Sequence, residues 1–146
     1  MSKRADTITL RLARPEEHQA LEELQRRSSL EFPDYREQLL ANPDAIHLPP
    51  AQIANGQVIV AEFASEVVGF AAVVGNELDG LFVEPEMWGG GIGRALLDAA
   101  AHQARLRGLS LTVLANPSAR GFYESCGFSV EGEEPTRFGP ALRMSR

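Results

Sequence analysis

Five of the chain's thirteen glycines fall between Gly80 and Gly93. The run Val83-Glu84-Pro85-Glu86-Met87-Trp88-Gly89-Gly90-Gly91-Ile92-Gly93-Arg94 passes from a strand-like pattern through a glycine-rich turn into a helix-like one. Backbone N–H groups converge at such a junction, and the helix dipole adds partial positive charge. The site therefore suits an anion such as a pyrophosphate. Glycine lets the backbone come close to it. A turn that binds nothing is the competing reading. A Walker A loop is excluded, because Ile92-Gly93-Arg94 stands where Gly-Lys-Ser/Thr would be needed. A dinucleotide fingerprint counted from Gly89 would want a small residue at Arg94 and a place at the start of a βαβ unit. Arg94 is the one cationic side chain in the run.

Carboxylates, a phenol, a thiol and imidazoles supply the remaining chemistry. Glu77 and Asp79 precede the glycines on one strand, at the spacing that puts both on one face. Glu62 and Glu84 are other acids nearby in sequence. Tyr123 sits in Asn116-Pro117-Ser118-Ala119-Arg120-Gly121-Phe122-Tyr123-Glu124-Ser125-Cys126-Gly127-Phe128. Cys126 has no histidine in its segment and reads as a packed helix-end residue. His102 shares a helix face with Asp98 and Arg105 and reads as solvated. His18 falls on the wet side of the first helix. His47 lies in an irregular stretch where it is free to meet a substrate.

These groups must be positioned by a recognisable set of elements. Thr7–Arg14 alternates as a half-buried strand, with Ile8, Leu10 and Leu12 on one side. Pro15 opens a helix whose apolar stripe is Ala20, Leu21 and Leu24. Phe32-Pro33-Asp34 breaks it, and a second helix runs to Leu40. Asn42-Pro43 and Pro49-Pro50 mark a long irregular connection. Val58–Phe63, Val67–Val74 and Leu78–Val83 read as an antiparallel meander, its middle strand apolar throughout. Gly91–Arg107 reads as a helix with Ile92, Ala95, Leu96, Ala99 and Leu106 on its inner side, ended by Gly108. Ser110–Ala115 is a strand and Ser118–Ser125 a short helix. Phe128–Met144 reads as two terminal strands around a Pro135–Pro140 loop. Such an order predicts one α/β domain over residues 1–146, with a mixed, mostly antiparallel sheet flanked by helices.

Composition narrows the partners. The chain has 146 residues, 44% hydrophobic and 23% charged, which is enough for one self-sufficient core. Fourteen Lys and Arg against twenty Asp and Glu leave a net charge of −6. That argues against binding a phosphate backbone, so no nucleic-acid partner is expected. The apolar runs are too short for a membrane span, and Met1–Leu12 carries no signal-peptide core. A single cysteine excludes an internal disulfide and a cysteine-rich metal site, and fits a reducing, cytoplasmic compartment. No metal is expected.

Two segments together resemble the GNAT N-acetyltransferase superfamily. Its acetyl-CoA motif reads roughly Val-x-Pro-x-x-[Gln/Arg]-x-x-Gly-x-[Gly/Ala], and Val83, Pro85, Gly91 and Gly93 match it in register. A later motif reads Asn-x-x-[Ala/Ser]-x-x-[Phe/Leu]-Tyr-x-x-x-Gly-Phe, matched by Asn116, Ala119, Phe122, Tyr123, Gly127 and Phe128. Trp88 and Gly90 depart from the usual Gln/Arg and basic positions, so Trp88 is expected as a rim residue and Arg94 as the local cation. The resemblance implies transfer of an acetyl group from acetyl-CoA to a primary amine of a small molecule or protein. It implies a donor site at Leu81, Phe82, Val83, Trp88, Gly89, Gly90, Gly91, Ile92, Gly93, Arg94, Asn116 and Tyr123. A backbone amide among Leu81–Val83 would hold the oxyanion, and Tyr123 would protonate the departing thiolate. Glu77 is the favoured base, followed by Asp79, with Glu84, Glu62 or a water as weaker choices. Phe32, Tyr35 and Arg36, with Arg137 and Phe138 opposite, are where the acceptor pocket is expected. A homodimer is among the family's tendencies. Two other readings stay open: a longer acyl-CoA donor, and a CoA-binding or protein-interaction module without catalysis.

Overall fold

A computed structural model describes residues 7–146. The reading of the first twelve residues therefore lies, for residues 1–6, outside the described part. Strands β1 (Thr9–Leu12), β2 (Val58–Phe63), β3 (Glu66–Val74), β4 (Glu77–Val83), β5 (Thr112–Ala115), β6 (Ser129–Thr136) and β7 (Gly139–Ser145) form one sheet in the order β1-β2-β3-β4-β5-β7-β6. Every pairing is antiparallel except β4 with β5. Helices α1 (His18–Ser29), α2 (Pro33–Ala41) and α3 (Pro50–Ala54) come before the meander, and α4 (Ile92–Leu106) and α5 (Arg120–Ser125) after it.

Two apolar layers sandwich the sheet. On one face Leu21 and Leu24 of α1, Leu48 and Ile53 meet Val58, Val60, Phe70 and Ala72. On the other, Ile92, Leu96, Leu97, Ala100, Ala101 and Ala104 of α4 cover Ile59, Ala61, Val68, Ala71, Val73 and Leu78. β3 is buried on both faces, which is why its sequence is nearly continuous in apolar residues. Gly69 lets α4 rest directly on β3. A side chain there would come within 3.0 Å of the Phe82 carbonyl and 3.3 Å of Ile92 and Leu96. That contact brings the start of α4 to the end of β4.

Two irregularities open the sheet where the glycines begin. Ala72 faces Gly80 but Val73 faces Leu78, so Asp79 is an extra residue on β4. Such a bulge sharpens the local twist. β4 and β5 then pair only at Glu77↔Thr112 and Leu78↔Val113. Beyond that, β5 follows β7, from Thr112↔Ser145 to Ala115↔Leu142, and leaves one edge of β4 unpaired.

Several expectations are corrected. Leu106 is 73% exposed, and Ala20 is exposed too. The 3.6-residue period carries both past the edge of the stripe that meets the sheet. His18 is not simply wet: its Nε2 lies 2.6 Å from the Leu48 carbonyl. The irregular connection contains α3 and a 3-10 turn, Pro43–Ala45. Pro135 and Pro140 pair with one another inside β6 and β7, and the loop shrinks to Arg137-Phe138. Proline is tolerated there because β6 is an edge strand and β5 reaches β7 only from Leu142 onward.

Candidate active site

A cleft of about 500 Å³ opens where β4 and β5 part. One wall is the unpaired edge of β4 and the turn after it. The Pro85–Met87 3-10 turn leads through Trp88 to Gly89 and Gly91, whose φ angles are +84° and +87°. Those left-handed positions are where only glycine avoids strain. The first helical bond of α4 runs from Ala95 N–H to the Gly91 carbonyl at 3.0 Å. The N–H groups of Gly91, Ile92, Gly93 and Arg94 thus have no backbone acceptor among the described residues, and they sit at the positive end of a 15-residue helix. Gly90 does not line the cleft; its N–H is bonded to the Met87 carbonyl at 3.3 Å.

Register shows which β4 amides face the gap. Glu84 N–H donates to the Val68 carbonyl, so in this antiparallel ladder Phe82 and Gly80 bond to β3. Leu81 and Val83 therefore turn their N–H and C=O groups toward the opening. The Val83 carbonyl accepts from Trp88 Nε1 at 2.8 Å, which leaves the Leu81 N–H and C=O and the Val83 N–H without a partner among the described residues. Trp88 is 45% exposed and stacks on Phe32 of the α1–α2 connection, with ring centroids 5.2 Å apart. It stands at the rim of the cleft. Arg94 also lines the cleft, but Nη2 is bonded to the Ser125 carbonyl at 3.0 Å.

α5 forms the opposite wall. Tyr123 is only 8% exposed, with Phe122 and Phe128 edge-on at 5.3 Å on either side. Burial, and secondarily Cys126, push its ionisation well above the usual tyrosine range, so the phenol stays protonated. Its hydroxyl has no hydrogen-bond partner among the described residues, and the residue lines the cleft. Asn116 stands behind this wall rather than on it. Its side chain accepts from Ser118 N–H at 3.1 Å and caps the turn that brings Ser118 and Ala119 to the cleft. Cys126 is buried and packed, as its sequence context suggests.

The two favoured carboxylates lie on the α1–α3 face of β4, and the other candidates are dispersed. Glu77 and Asp79 both point there, opposite to Leu78 of the α4 layer. Glu77 lies 3.6 Å from Arg143 of β7, which is held more closely by Glu134 of β6 at 2.7 Å. Asp79 accepts from Gln52 of α3 at 3.0 Å. Glu62 and Glu84 are committed elsewhere, to Arg11 at 3.0 Å and Arg27 at 2.6 Å. Tyr35 and Phe138 face one another with ring centroids 6.4 Å apart, and Arg137 ties the β6–β7 tip to Asp44 and Asn42. Arg36 instead turns back to the Leu30 carbonyl. His47 is bonded to Glu22 at 3.2 Å, and His102 is exposed. Sequence reasoning missed Ser28, Met87, Ser118 and Ser125 on the cleft wall and Gln52, Arg143 and Glu134 beside the carboxylates. Ser28, Gln52, Glu134 and Arg143 are scattered over helices and terminal strands and leave no spacing to read, whereas Met87, Ser118 and Ser125 lie inside the two segments already singled out, without a chemistry that marks them. Among the described residues, no helix is long and apolar enough to cross a membrane, and no three or more His, Cys, Asp or Glu are grouped to hold a metal ion.

Residues 54–130 match the family model for the acetyltransferase (GNAT) domain. A peptidyl-lysine N-acetyltransferase, YjaB of Salmonella typhimurium, is 41% identical over 68 residues, which are 46% of this chain and 46% of that protein. The chain thus aligns with about half the length of that relative. A 5-NmdU N-acetyltransferase of Pseudomonas phage PaMx11 is 30% identical over 142 residues, covering 92% of this chain and 96% of its own. In structure, the PaiA N-acetyltransferase of Thermoplasma acidophilum, solved in complex with coenzyme A, superposes with a TM-score of 0.77 at 22% identity, covering 96% of this chain and 98% of that one. With the family model covering more than half of its residues and the phage relative aligned along almost its whole length, the chain belongs to the GNAT acetyltransferase family.

Proposed function

We propose that the protein transfers an acetyl group from acetyl-CoA to a primary amine. One observation carries the reading: the open β4 edge ends directly on four unbonded N–H groups at the start of α4. Those groups suit a pyrophosphate, and the free Leu81 and Val83 groups suit the amides of an extended arm added alongside β4. The coenzyme A complex of the structural relative supports CoA as the carrier. Gly93 keeps the turn thin, since a side chain there would reach 3.2 Å from Phe122 across the cleft.

The chain's own groups supply each step. The Leu81 N–H is already directed at the gap and stabilises the oxyanion that forms when the amine attacks the thioester carbon. Glu77, directly or through a water, takes the proton the amine gives up. As the C–N bond forms and the C–S bond breaks, Tyr123 donates its proton to the leaving thiolate and recovers one from solvent. Its apolar surroundings keep that proton in place until a thiolate arrives. Phe32 and Trp88 cover the donor side from the α1–α2 connection.

The names of the relatives put the acceptor amine on a peptidyl lysine in one case and on 5-NmdU in the other. For this chain we place the acceptor on the α1–α3 side of β4, toward the Tyr35–Phe138 pair and the β4 carboxylates. The test is to mix the protein with acetyl-CoA and a panel of amines and follow free-thiol release. Amine-dependent release is the expected result. CoA binding without release for any amine overturns the catalytic reading, and no CoA binding overturns the donor site.

A further inference from the structure

The donor cleft stops partway along β4. Leu81, Phe82 and Val83 line it, and no earlier residue of the strand does. The Phe82 side chain closes it there. Its partner across the ladder is Phe70, which is fully buried, and the two rings meet with centroids 5.3 Å apart. Aromatic pairs of this kind hold each other in place. From that anchor the Phe82 ring folds back along the strand and covers Gly80. A Cβ on Gly80 would lie 2.6 Å from Phe82 Cε2 and 3.4 Å from Cζ. Gly80 is not among the glycines at positive φ, so the backbone there does not require glycine. The ring requires it, because any side chain at position 80 displaces Phe82.

The direction of the carrier gives this ring a role. A pyrophosphate at Gly91–Arg94 starts the arm at the Val83 end of β4, and the arm then runs toward Leu81. The thioester carbonyl arrives at the Leu81 N–H, and the rest of the acyl group extends beyond it, toward Gly80. There it meets the half-buried Phe82 ring. A methyl group ends before the ring, whereas further methylenes must push against it. Phe70 behind Phe82 leaves the ring nowhere to retreat, and a packed wall resists each added methylene.

We propose that Phe82 sets the length of acyl group the protein accepts, and that Gly80 is the positioning residue that seats its ring. The inference rests on the acyl-transfer reading and narrows it to short acyl-CoA thioesters, with butyryl and longer groups disfavoured.

The test reads binding, apart from turnover. CoA, acetyl-CoA, butyryl-CoA and hexanoyl-CoA are titrated calorimetrically into the protein without an acceptor amine. The wild type binds acetyl-CoA within about threefold of CoA and hexanoyl-CoA about tenfold or more weaker than acetyl-CoA. Phe82→Ala brings hexanoyl-CoA to within about twofold of acetyl-CoA. Phe82→Leu, which keeps an apolar contact for Phe70, moves it part of the way, and CoA itself binds all forms alike. Gly80→Ala drives the ring toward the cleft and weakens butyryl-CoA about fivefold further. A flat ranking across chain lengths in the wild type, or an unaltered ranking in the Phe82 variants, overturns the proposal. An unaltered ranking in Gly80→Ala removes Gly80 from it. Thiol release with the amine panel is read on the same samples. Release from acetyl-CoA together with a flat ranking sinks the length limit and leaves acetyl transfer standing. A kept ranking without release for any amine supports the length limit and counts against transfer alone. CoA bound by no form removes the donor site, and the length limit with it.

Discussion

The donor side proposed for the cleft and the acceptor side proposed beside it are built from different material. Toward the donor, the groups offered are mostly main chain: the free N–H groups of Gly91–Arg94 and the unpaired edge of β4 at Leu81 and Val83. Toward the acceptor they are side chains from separate segments: Gln52 of α3, Glu77 and Asp79 of β4, Arg143 of β7, Glu134 of β6, and the Tyr35–Phe138 pair. A main-chain site tolerates many side chains but demands glycine where the backbone turns. A side-chain site can change its ligand through one substitution while the fold stays intact. One scaffold can thereby keep a single donor and vary its acceptor.

The largest effect should come from breaking the main-chain side. Gly91 holds φ +87° at the cap of α4, and a β-branched residue there is strained by about 1–2 kcal/mol or relaxes the turn. Gly91→Val should weaken CoA binding about 100-fold or more, read by calorimetry, while the unliganded fold survives. Near-normal CoA affinity in that variant would mean the glycine turn does not hold the carrier.

Tyr123→Phe comes next and separates chemistry from binding. Turnover should fall about 10- to 100-fold with CoA affinity changed less than about threefold. The same variant has a stability signature. Burial raises the Tyr123 ionisation, so the unfolded chain loses its proton first as pH climbs past about 10, and stability drops from there upward. Urea midpoints at pH 8 and pH 11 should differ more for the wild type than for Tyr123→Phe.

A smaller effect tests the acceptor side's scaffolding. Glu22 of α1 accepts the Leu48 N–H at 2.9 Å and thereby pins the connection that carries α3. That bond, together with the nearby His18 and His47, holds its carboxyl below the usual glutamate range. Its contribution is complete above about pH 4.3 and is lost as pH falls through the depressed folded value. Glu22→Gln should cost about 1 kcal/mol at pH 7 and flatten the acid side of the stability curve, measured by urea titration from pH 3 to pH 7. It should raise the acceptor KM without touching CoA affinity. The smallest change is expected from Trp88→Ala, which removes a half-exposed rim stack and should weaken CoA about threefold.

The same division explains what could be read from sequence. Strand alternation, the apolar β3 and the glycine run reveal the sheet and the donor turn, because main-chain geometry leaves local marks: glycine at positive φ, proline at a turn, two- or 3.6-residue periods. Gly80 inside the β4 pattern is the one trace of the Asp79 bulge, and the loss of pairing between β4 and β5 beyond Leu78 leaves none. Both arise from how distant strands settle against each other. Gln52 was hidden in a stretch that read as irregular, because the five residues of α3 are too few to show a period. The Pro135–Pro140 segment misled in the opposite direction. Two prolines suggest a loop, and only the edge position of β6 makes them compatible with a ladder.

The central claim is that main-chain N–H groups, rather than cationic side chains, hold the carrier. Amide nitrogen–proton correlation spectra recorded during a CoA titration test it directly. The account predicts large shifts for the amides of Leu81, Val83, Gly91, Ile92, Gly93 and Arg94, with those of Gln52, Glu77 and Asp79 nearly still. Saturable CoA binding that leaves the Gly91–Arg94 amides unmoved would contradict it.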